Sequence, residues 1–268
     1  MKEGKNIVKY HNDLNSITFY GFGSVDFDLF IALCRKVAEE GTAEVTISFE
    51  ELREISGFNS HWSEKEFMER VDEMTDKQMS ARGRIEKGGD IAKFTLFPSI
   101  KIKENKTISV KTDTDYLYIL TELKKNFTRF ELQEFVTLDS KYAKILYRLL
   151  KQFRTTGLLR ITIEEFRRIM EVPEKYSNRR MYDKIINPSI RYLEKCFDNL
   201  ECKTVYEKKP GRPVKGYEFT FTPEEVARIS TTAAAPGRKK PVNAFHNFEQ
   251  REYDYDALEK ALIERTKK

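Results

Sequence analysis

The segment Arg160-Ile161-Thr162-Ile163-Glu164-Glu165-Phe166-Arg167-Arg168-Ile169 repeats an earlier part of the same chain. At a fixed offset of 114 residues it aligns with Thr46-Ile47-Ser48-Phe49-Glu50-Glu51-Leu52-Arg53-Glu54-Ile55. Each copy starts with a short apolar strand and continues as a helix. In the first copy this helix begins with the capping box Ser48-x-x-Glu51. The same offset places Trp62 on Tyr176, Phe67 on Met181 and Val71 on Ile185. A gapless match of this length predicts a duplicated module.

The flanking elements of the repeat also recur in the same order. A helix at 25–40, ended by Gly41, precedes the first copy, and a helical pattern at 143–153 precedes the second. A third helix starts at Ser63 in one copy and at Ser177 in the other, and a hairpin follows each. Residues 94–98 of the first hairpin match residues 219–223 of the second. Helix, strand, two helices and a hairpin form a winged helix.

We therefore predict an α+β protein with two tandem winged-helix domains related by internal duplication, at residues 1–135 and 136–223. Between them, 100–111 has the pattern of a separate hairpin. The apolar stretches 116–123 and 127–138 fit strand and helix equally well and are expected to tie the modules together. Residues 224–268 read as a flexible linker and a tail that becomes ordered on a partner. Its predicted partner-binding anchors are Phe245, Phe248, Tyr253, Tyr255 and Leu258.

Composition limits the possible classes of protein. The chain has 268 residues, 40% of them hydrophobic, which suits two domains with their own cores. No apolar run approaches the roughly 20 residues that span a bilayer, and no signal peptide is recognisable, so we expect a cytoplasmic protein without membrane contact. The three cysteines form no disulfide framework, and the three histidines have no metal-ligand spacing. We expect no metal and no cofactor.

The third helices of the two copies carry opposite charge. Residues 63–79 contain six acids and three bases, whereas residues 177–195 contain five bases and two acids. The first turn of the second helix holds Arg179 and Arg180, although cations are disfavoured at the positive end of a helix dipole. Glu66 aligns with Arg180, so only the second copy replaces a stabilising acid by a cation. An anion in front of this helix, such as a DNA groove, accounts for the exchange.

The predicted hairpin tip of the second copy is basic as well. Residues 208–216 carry four bases and no acid. A winged helix sets this tip beside the third helix, which favours DNA binding over the alternative of a solvated basic face. The predicted DNA-binding residues are Ser177, Asn178, Arg179, Arg180, Tyr182, Lys184, Arg191, Lys208, Lys209, Arg212 and Lys215. The acidic first copy is expected to form a protein interface, by dimerisation, with Arg82, Arg84 and Lys87 as auxiliary phosphate contacts.

Three motifs resemble a known family, the winged-helix plasmid replication initiators (Rep proteins) that bind repeated origin sequences called iterons, especially in Gram-positive bacteria. The motifs are Tyr10-His11-Asn12-Asp13-Leu14-Asn15, residues 138–153 with Thr156-Gly157, and Asn187-Pro188-Ser189-Ile190. The resemblance implies a double-stranded DNA-binding initiator that recruits host replication proteins. It also implies a homodimer in equilibrium with a monomer. Residues 243–255 are similar to the tails of primosomal loader proteins, which implies contacts with a host helicase or with single-stranded DNA.

Two other functions stay open on the sequence: a winged-helix transcriptional repressor, and a primosome or helicase-loader adaptor that acts through its tail. An enzyme is not expected. A nicking initiator needs paired metal-binding histidines, and an ATPase needs a Gly-x-x-x-x-Gly-Lys-[Ser/Thr] loop. The sequence contains neither pattern.

Overall fold

The computed structural model describes residues 7–57 and 62–224. The helices are α1 (Ser24–Glu40), α2 (Phe49–Ser56), α3 (Glu64–Met79), α4 (Tyr118–Thr121), α5 (Leu132–Val136), α6 (Lys141–Gln152), α7 (Ile163–Ile169), α8 (Asn178–Met181) and α9 (Asn187–Leu193). The strands are β1 (Ile7–His11), β2 (Glu44–Ser48), β3 (Gly83–Lys87), β4 (Asp90–Phe94), β5 (Ser99–Lys103), β6 (Thr107–Lys111), β7 (Phe127–Glu131), β8 (Leu158–Thr162), β9 (Glu201–Tyr206) and β10 (Val214–Thr220). Short 3₁₀ helices cover Asn12–Ser16 and Thr114–Tyr116, and a π-helical turn, Tyr182–Ile186, joins α8 to α9.

The second module, α6 to β10, has the predicted order of elements. Its antiparallel sheet has the order β8-β10-β9, and β9 and β10 form the wing hairpin. Phe219 and Tyr217 are buried under α7, where both rings contact Phe166. The backbone of β10 passes very close to β8, because a Cβ atom on Gly216 would lie 2.2 Å from the Ile161 carbonyl oxygen. The predicted winged helix is confirmed here.

The first module, α1 to β6, confirms the predicted helices. Ser48 caps α2 by accepting from the Glu51 amide, but the Glu51 carboxylate pairs with Lys36 at 2.7 Å instead of completing the predicted capping box. Gly41 ends α1 in the left-handed region at φ +67°, a conformation that glycine adopts without strain. Ser63 and Glu66 form a reciprocal capping box at the start of α3. The sheet has the order β2-β6-β5, with Val45 opposite Val110 and Ile47 opposite Ile108.

The predicted wing of the first module is wrong. Its wing is the hairpin β5–β6, which was expected to lie between the modules, and the strand that corresponds to β10 is β6. The match of residues 94–98 to 219–223 therefore does not hold. The hairpin at 85–97 does form, as β3–β4 around the turn Gly88-Gly89, but it is an insertion outside the three-stranded sheet. Two hairpins follow α3 in sequence, and local patterns do not say which of them pairs with β2.

The segments that fitted both strand and helix contain both. Residues 118–121 are helical, whereas β7 is a strand that pairs antiparallel with the N-terminal strand β1. Tyr10 of β1 and Phe130 of β7 are buried together, with their rings 5.9 Å apart edge to face. This ribbon ties the start of the chain to the segment between the modules.

Helix α6 joins the two modules, and its joining face is polar. The Lys144 ammonium pairs with the Asp28 carboxylate of α1 and donates to the Ser24 carbonyl at 3.2 Å. Arg148 donates to the Leu14 carbonyl at 2.8 Å and to the Tyr10 hydroxyl at 3.1 Å. Both cations are buried. Because buried charges need specific partners, these contacts define the orientation of one module on the other.

Candidate nucleic-acid interface

The start of the third helix in the second module is capped as the sequence predicts. The Ser177 hydroxyl accepts a hydrogen bond from the Arg180 amide at 3.2 Å. Arg167 of α7 holds the turn before it, by donating to the Tyr176 carbonyl at 2.8 Å and to the Asn178 side-chain oxygen at 2.9 Å. The helix start is thus fixed to the preceding helix, as a rigid binding surface requires.

Both arginines of the first turn are exposed. Arg179 pairs with Asp183 at 2.7 Å, and this hydrogen bond raises the pKa of its guanidinium. Arg180 has no carboxylate partner among the described residues, and its guanidinium lies 4.6 Å from the centre of the Tyr176 ring. The Tyr176 ring limits where Arg180 points, while leaving its donors free for an anionic ligand.

Further along the helix, Lys184 and Arg191 are exposed, and no ion pair engages them in the described part of the chain. Tyr182 lies differently, because it is half-buried against the core. Burial raises the pKa of its hydroxyl, with smaller contributions from Cys202 and Asp183. Of the predicted residues on this helix, Tyr182 therefore offers the least free surface.

The wing tip has a constrained backbone. Gly211 and Arg212 have φ values of +77° and +43°, and Arg212 is not a glycine, so its conformation is unfavourable unless other contacts hold it. Two backbone bonds close the tip, from the Arg212 amide to the Lys209 carbonyl and from the Glu207 amide to the Pro213 carbonyl, both at 2.9 Å. Lys209 pairs with Glu207 at 2.7 Å, whereas Lys208 and Lys215 are exposed without a described ion pair.

Sequence reasoning missed Tyr206, the last residue of β9, which lies next to the wing tip. Its ring is 47% exposed, and the Arg212 guanidinium sits 5.3 Å from the ring centre. Val205 beside it is also exposed. The signal available in the sequence was the apolar pair Val205-Tyr206 directly before the basic segment 208–216.

The equivalent surface of the first module carries acids on its helix, whereas its wing β5–β6 is basic, with Lys101, Lys103 and Lys106 against Glu104. At the start of α3, Glu64 pairs at 2.6 Å with Lys106 from the β5–β6 turn, and this interaction lowers the pKa of Glu64. A cleft of about 690 Å³ opens beside it, lined by Phe49, Phe67 and the exposed Met68. Helix start and wing tip meet here as in a DNA-binding winged helix, but apolar side chains and the paired charges of Glu64 and Lys106 line the cleft, together with Arg53 and Lys65.

Residues 7–57 and 62–224 contain no group of three or more side chains suited to hold a metal, and no helix in them could cross a membrane. The predicted tail anchors Phe245, Phe248, Tyr253, Tyr255 and Leu258 lie outside the described residues.

Comparison with known proteins agrees with this architecture. The family model described as "Initiator Replication protein, WH1" matches residues 7–151, and "Initiator Rep protein, WH2" matches residues 162–221. A probable replication protein from Bifidobacterium longum (strain NCC 2705) is 31% identical over 221 residues, which are 81% of this chain and 73% of that protein.

A solved structure shares the fold. The Pi initiator protein, crystallised in complex with iteron DNA, superposes with a TM-score of 0.58 at 15% identity, over 83% of this chain and 99% of that one. With two tandem winged helices in the structure and both family models matched in order, the chain belongs to the initiator replication (Rep) protein family.

Proposed function

We propose that this chain starts plasmid replication by binding repeated origin sequences as double-stranded DNA, and that its second module reads their sequence. The observation that carries the proposal is the exposed row of cations on a capped helix, in a module whose wing tip is basic and exposed as well. Arg180 and Lys184 have no described carboxylate partner and point away from the core. The Pi initiator was crystallised with iteron DNA, which supports the same class of ligand for this chain.

Phosphate and base contacts are proposed to fall on different residues. Lys208, Lys209, Arg212 and Lys215 of the wing supply affinity through phosphates, which carry no direct sequence information. Arg180, near the start of the helix, is proposed to meet base edges, as the first residues of a recognition helix do. Ser177, Asn178 and Arg179 flank it, and Arg191 lies further along the helix.

No catalytic step is proposed for the chain. Recruitment of a host helicase or other primosome protein completes the proposed function, and the tail at 224–268 is its proposed site. The domain boundaries at 135 and 223 are part of the same proposal.

A nuclease-protection footprint on the DNA that flanks the gene tests this function. An initiator of this type should protect several direct repeats of equal spacing. The protected sequence is called the site duplex below, and a shuffled sequence of equal composition the scrambled duplex. Protection of a single inverted repeat over a promoter would favour the repressor, and no protection at low salt would favour an adaptor.

The first module is proposed to form the homodimer, through the edge strand β5. In the described part of the chain, β5 is paired with β6 on one side only. Ile100 and Ile102 of β5 are half-buried and line a cleft of about 430 Å³ with Met79 of α3, whose side chain is exposed. A second copy pairing along β5 would cover these apolar groups and satisfy the free edge.

Substituting Ile102→Lys places a charge on the covered face of that edge. We expect the monomer–dimer dissociation constant, measured by analytical ultracentrifugation, to rise at least about tenfold, because an inward-pointing charge blocks edge pairing. Ile91→Lys is the matched control, since Ile91 is an exposed isoleucine on β4 of the other hairpin. Equal dissociation constants for the two variants would rule out β5 as the interface.

A further inference from the structure

The third helices of the two modules differ by one inserted residue. In α3 the buried residues facing the core are Phe67, Val71, Met74 and Gln78. In the second module they are Met181, Ile185, Ser189 and Leu193, and Ile186 in the π turn is buried as well. Taken in order, the aligned residues differ in number by 114 for Phe67–Met181 and Val71–Ile185, and by 115 for the two pairs that follow. The π turn lies at this change, so it holds the extra residue, as π turns commonly do.

The hydrogen bonds explain why the extra residue sits there. The Asn187 amide donates to the Tyr182 carbonyl, five residues earlier, where a regular α-helix would use the fourth. Pro188 follows, and it has no amide hydrogen to donate to the Lys184 carbonyl. The wider turn accommodates the proline without ending the helix.

The insertion changes which residue shares the face of Arg180. Over twelve residues, a regular α-helix makes three full turns and rotates roughly 120° further. A π turn takes up one extra residue, which reduces this extra rotation by roughly 100°. The twelfth residue then lies within roughly 20° of the first, viewed along the helix axis. Twelve residues after Arg180 comes Tyr192, which is 45% exposed. Twelve residues after the aligned Glu66 comes Gln78, which is 0% exposed.

We infer that the π turn brings Tyr192 onto the DNA-facing row of Arg180 and Lys184, and that the Tyr192 hydroxyl binds a phosphate of the DNA backbone. The inference rests on the proposed function, because it requires that this helix enter a groove. Because the π turn absorbs one of the twelve residues, Tyr192 lies roughly 16 Å along the helix from Arg180, whereas the major groove is about 12 Å wide. With Arg180 at the base edges, Tyr192 therefore lies beyond the groove, at the level of the phosphates. Tyrosine hydroxyls are regular phosphate donors.

The test compares Tyr192→Phe with the unmodified full-length chain, on the site duplex and on the scrambled duplex, by fluorescence anisotropy at several salt concentrations. We expect affinity for both duplexes to fall by roughly tenfold, the effect of one lost hydrogen bond to a charged acceptor. The ratio between the duplexes and the salt dependence should stay unchanged, because the hydroxyl carries no charge and contacts no base. Tyr20→Phe is the control, since Tyr20 is an exposed tyrosine of the first module.

Two results would overturn the inference: wild-type affinity of Tyr192→Phe for both duplexes, or a loss confined to the site duplex, which would indicate a base contact. Arg180→Ala separates this failure from a failure of the proposed function. If Arg180→Ala still loses discrimination between the duplexes, only the role of Tyr192 is refuted. If Arg180→Ala also binds as the wild type does, the helix is not the reading element.

Discussion

Replacing Lys144 by methionine should lower the free energy of unfolding at pH 8 by about 3–5 kcal/mol, because it leaves the Asp28 carboxyl group buried without its ammonium partner. The two side chains are 0% and 5% exposed, so water cannot take the place of the ammonium. Urea unfolding followed by circular dichroism measures the loss. The double variant Asp28→Leu with Lys144→Met is the control, and it should recover most of the stability, since apolar side chains can replace a buried ion pair.

The loss in Lys144→Met should depend on pH. Even beside Lys144, burial raises the pKa of Asp28 to about 7, from an ordinary 3.8. Without the ammonium the folded pKa rises further, so the folded state holds a proton that the unfolded state releases. Both proteins then lose stability between about pH 4 and pH 7, and only the variant goes on losing it above about pH 7, by up to about 1.4 kcal/mol per pH unit. The variant should be closer to wild type at pH 5 than at pH 8, and a pH-independent difference would contradict the assignment.

Substituting Arg180→Ala should reduce discrimination between the site and scrambled duplexes by about 1–3 kcal/mol, the effect of one lost bidentate contact to a base. Affinity for the scrambled duplex should change much less. Competition binding with both duplexes measures the ratio. Arg160→Ala is the matched control, because Arg160 is an exposed arginine on β8 that pairs with Glu218 at 2.6 Å.

Equal losses of Arg180→Ala on both duplexes would show that Arg180 binds phosphate. The division between a reading helix and a phosphate-binding wing would then be wrong, even if the module binds DNA.

Local features of the fold were predictable because each depends on neighbouring residues. The caps at Ser48, Ser63 and Ser177 and the stop at Gly41 follow from side chains within one turn of each helix end. The duplication was visible because strand, caps and buried helix positions repeat in phase. The exposure of Arg179 and Arg180 also agrees with the charge pattern of their helix.

Features that depend on long-range pairing were not predictable from those patterns. Strand β2 had two candidate hairpins as partners, and only the folded chain shows that β6 is the neighbour. Lys144 and Arg148 are typical exposed residues in sequence, yet they are buried because α1 and the N-terminal segment cover α6. The π turn was hidden because a one-residue insertion within a helix changes no helix-forming signal, although Pro188 marked its place.

The most direct test of a DNA-reading second module and a protein-binding first module is lysine footprinting. The full chain is acetylated briefly, with and without the site duplex, and each lysine is quantified by mass spectrometry. DNA should shield the exposed Lys184, Lys208 and Lys215, and leave the exposed Lys65 and Lys93 of the first module, which lie outside β5, reactive. Shielding of the first-module lysines, with those of the helix and wing of the second module unchanged, would contradict the account.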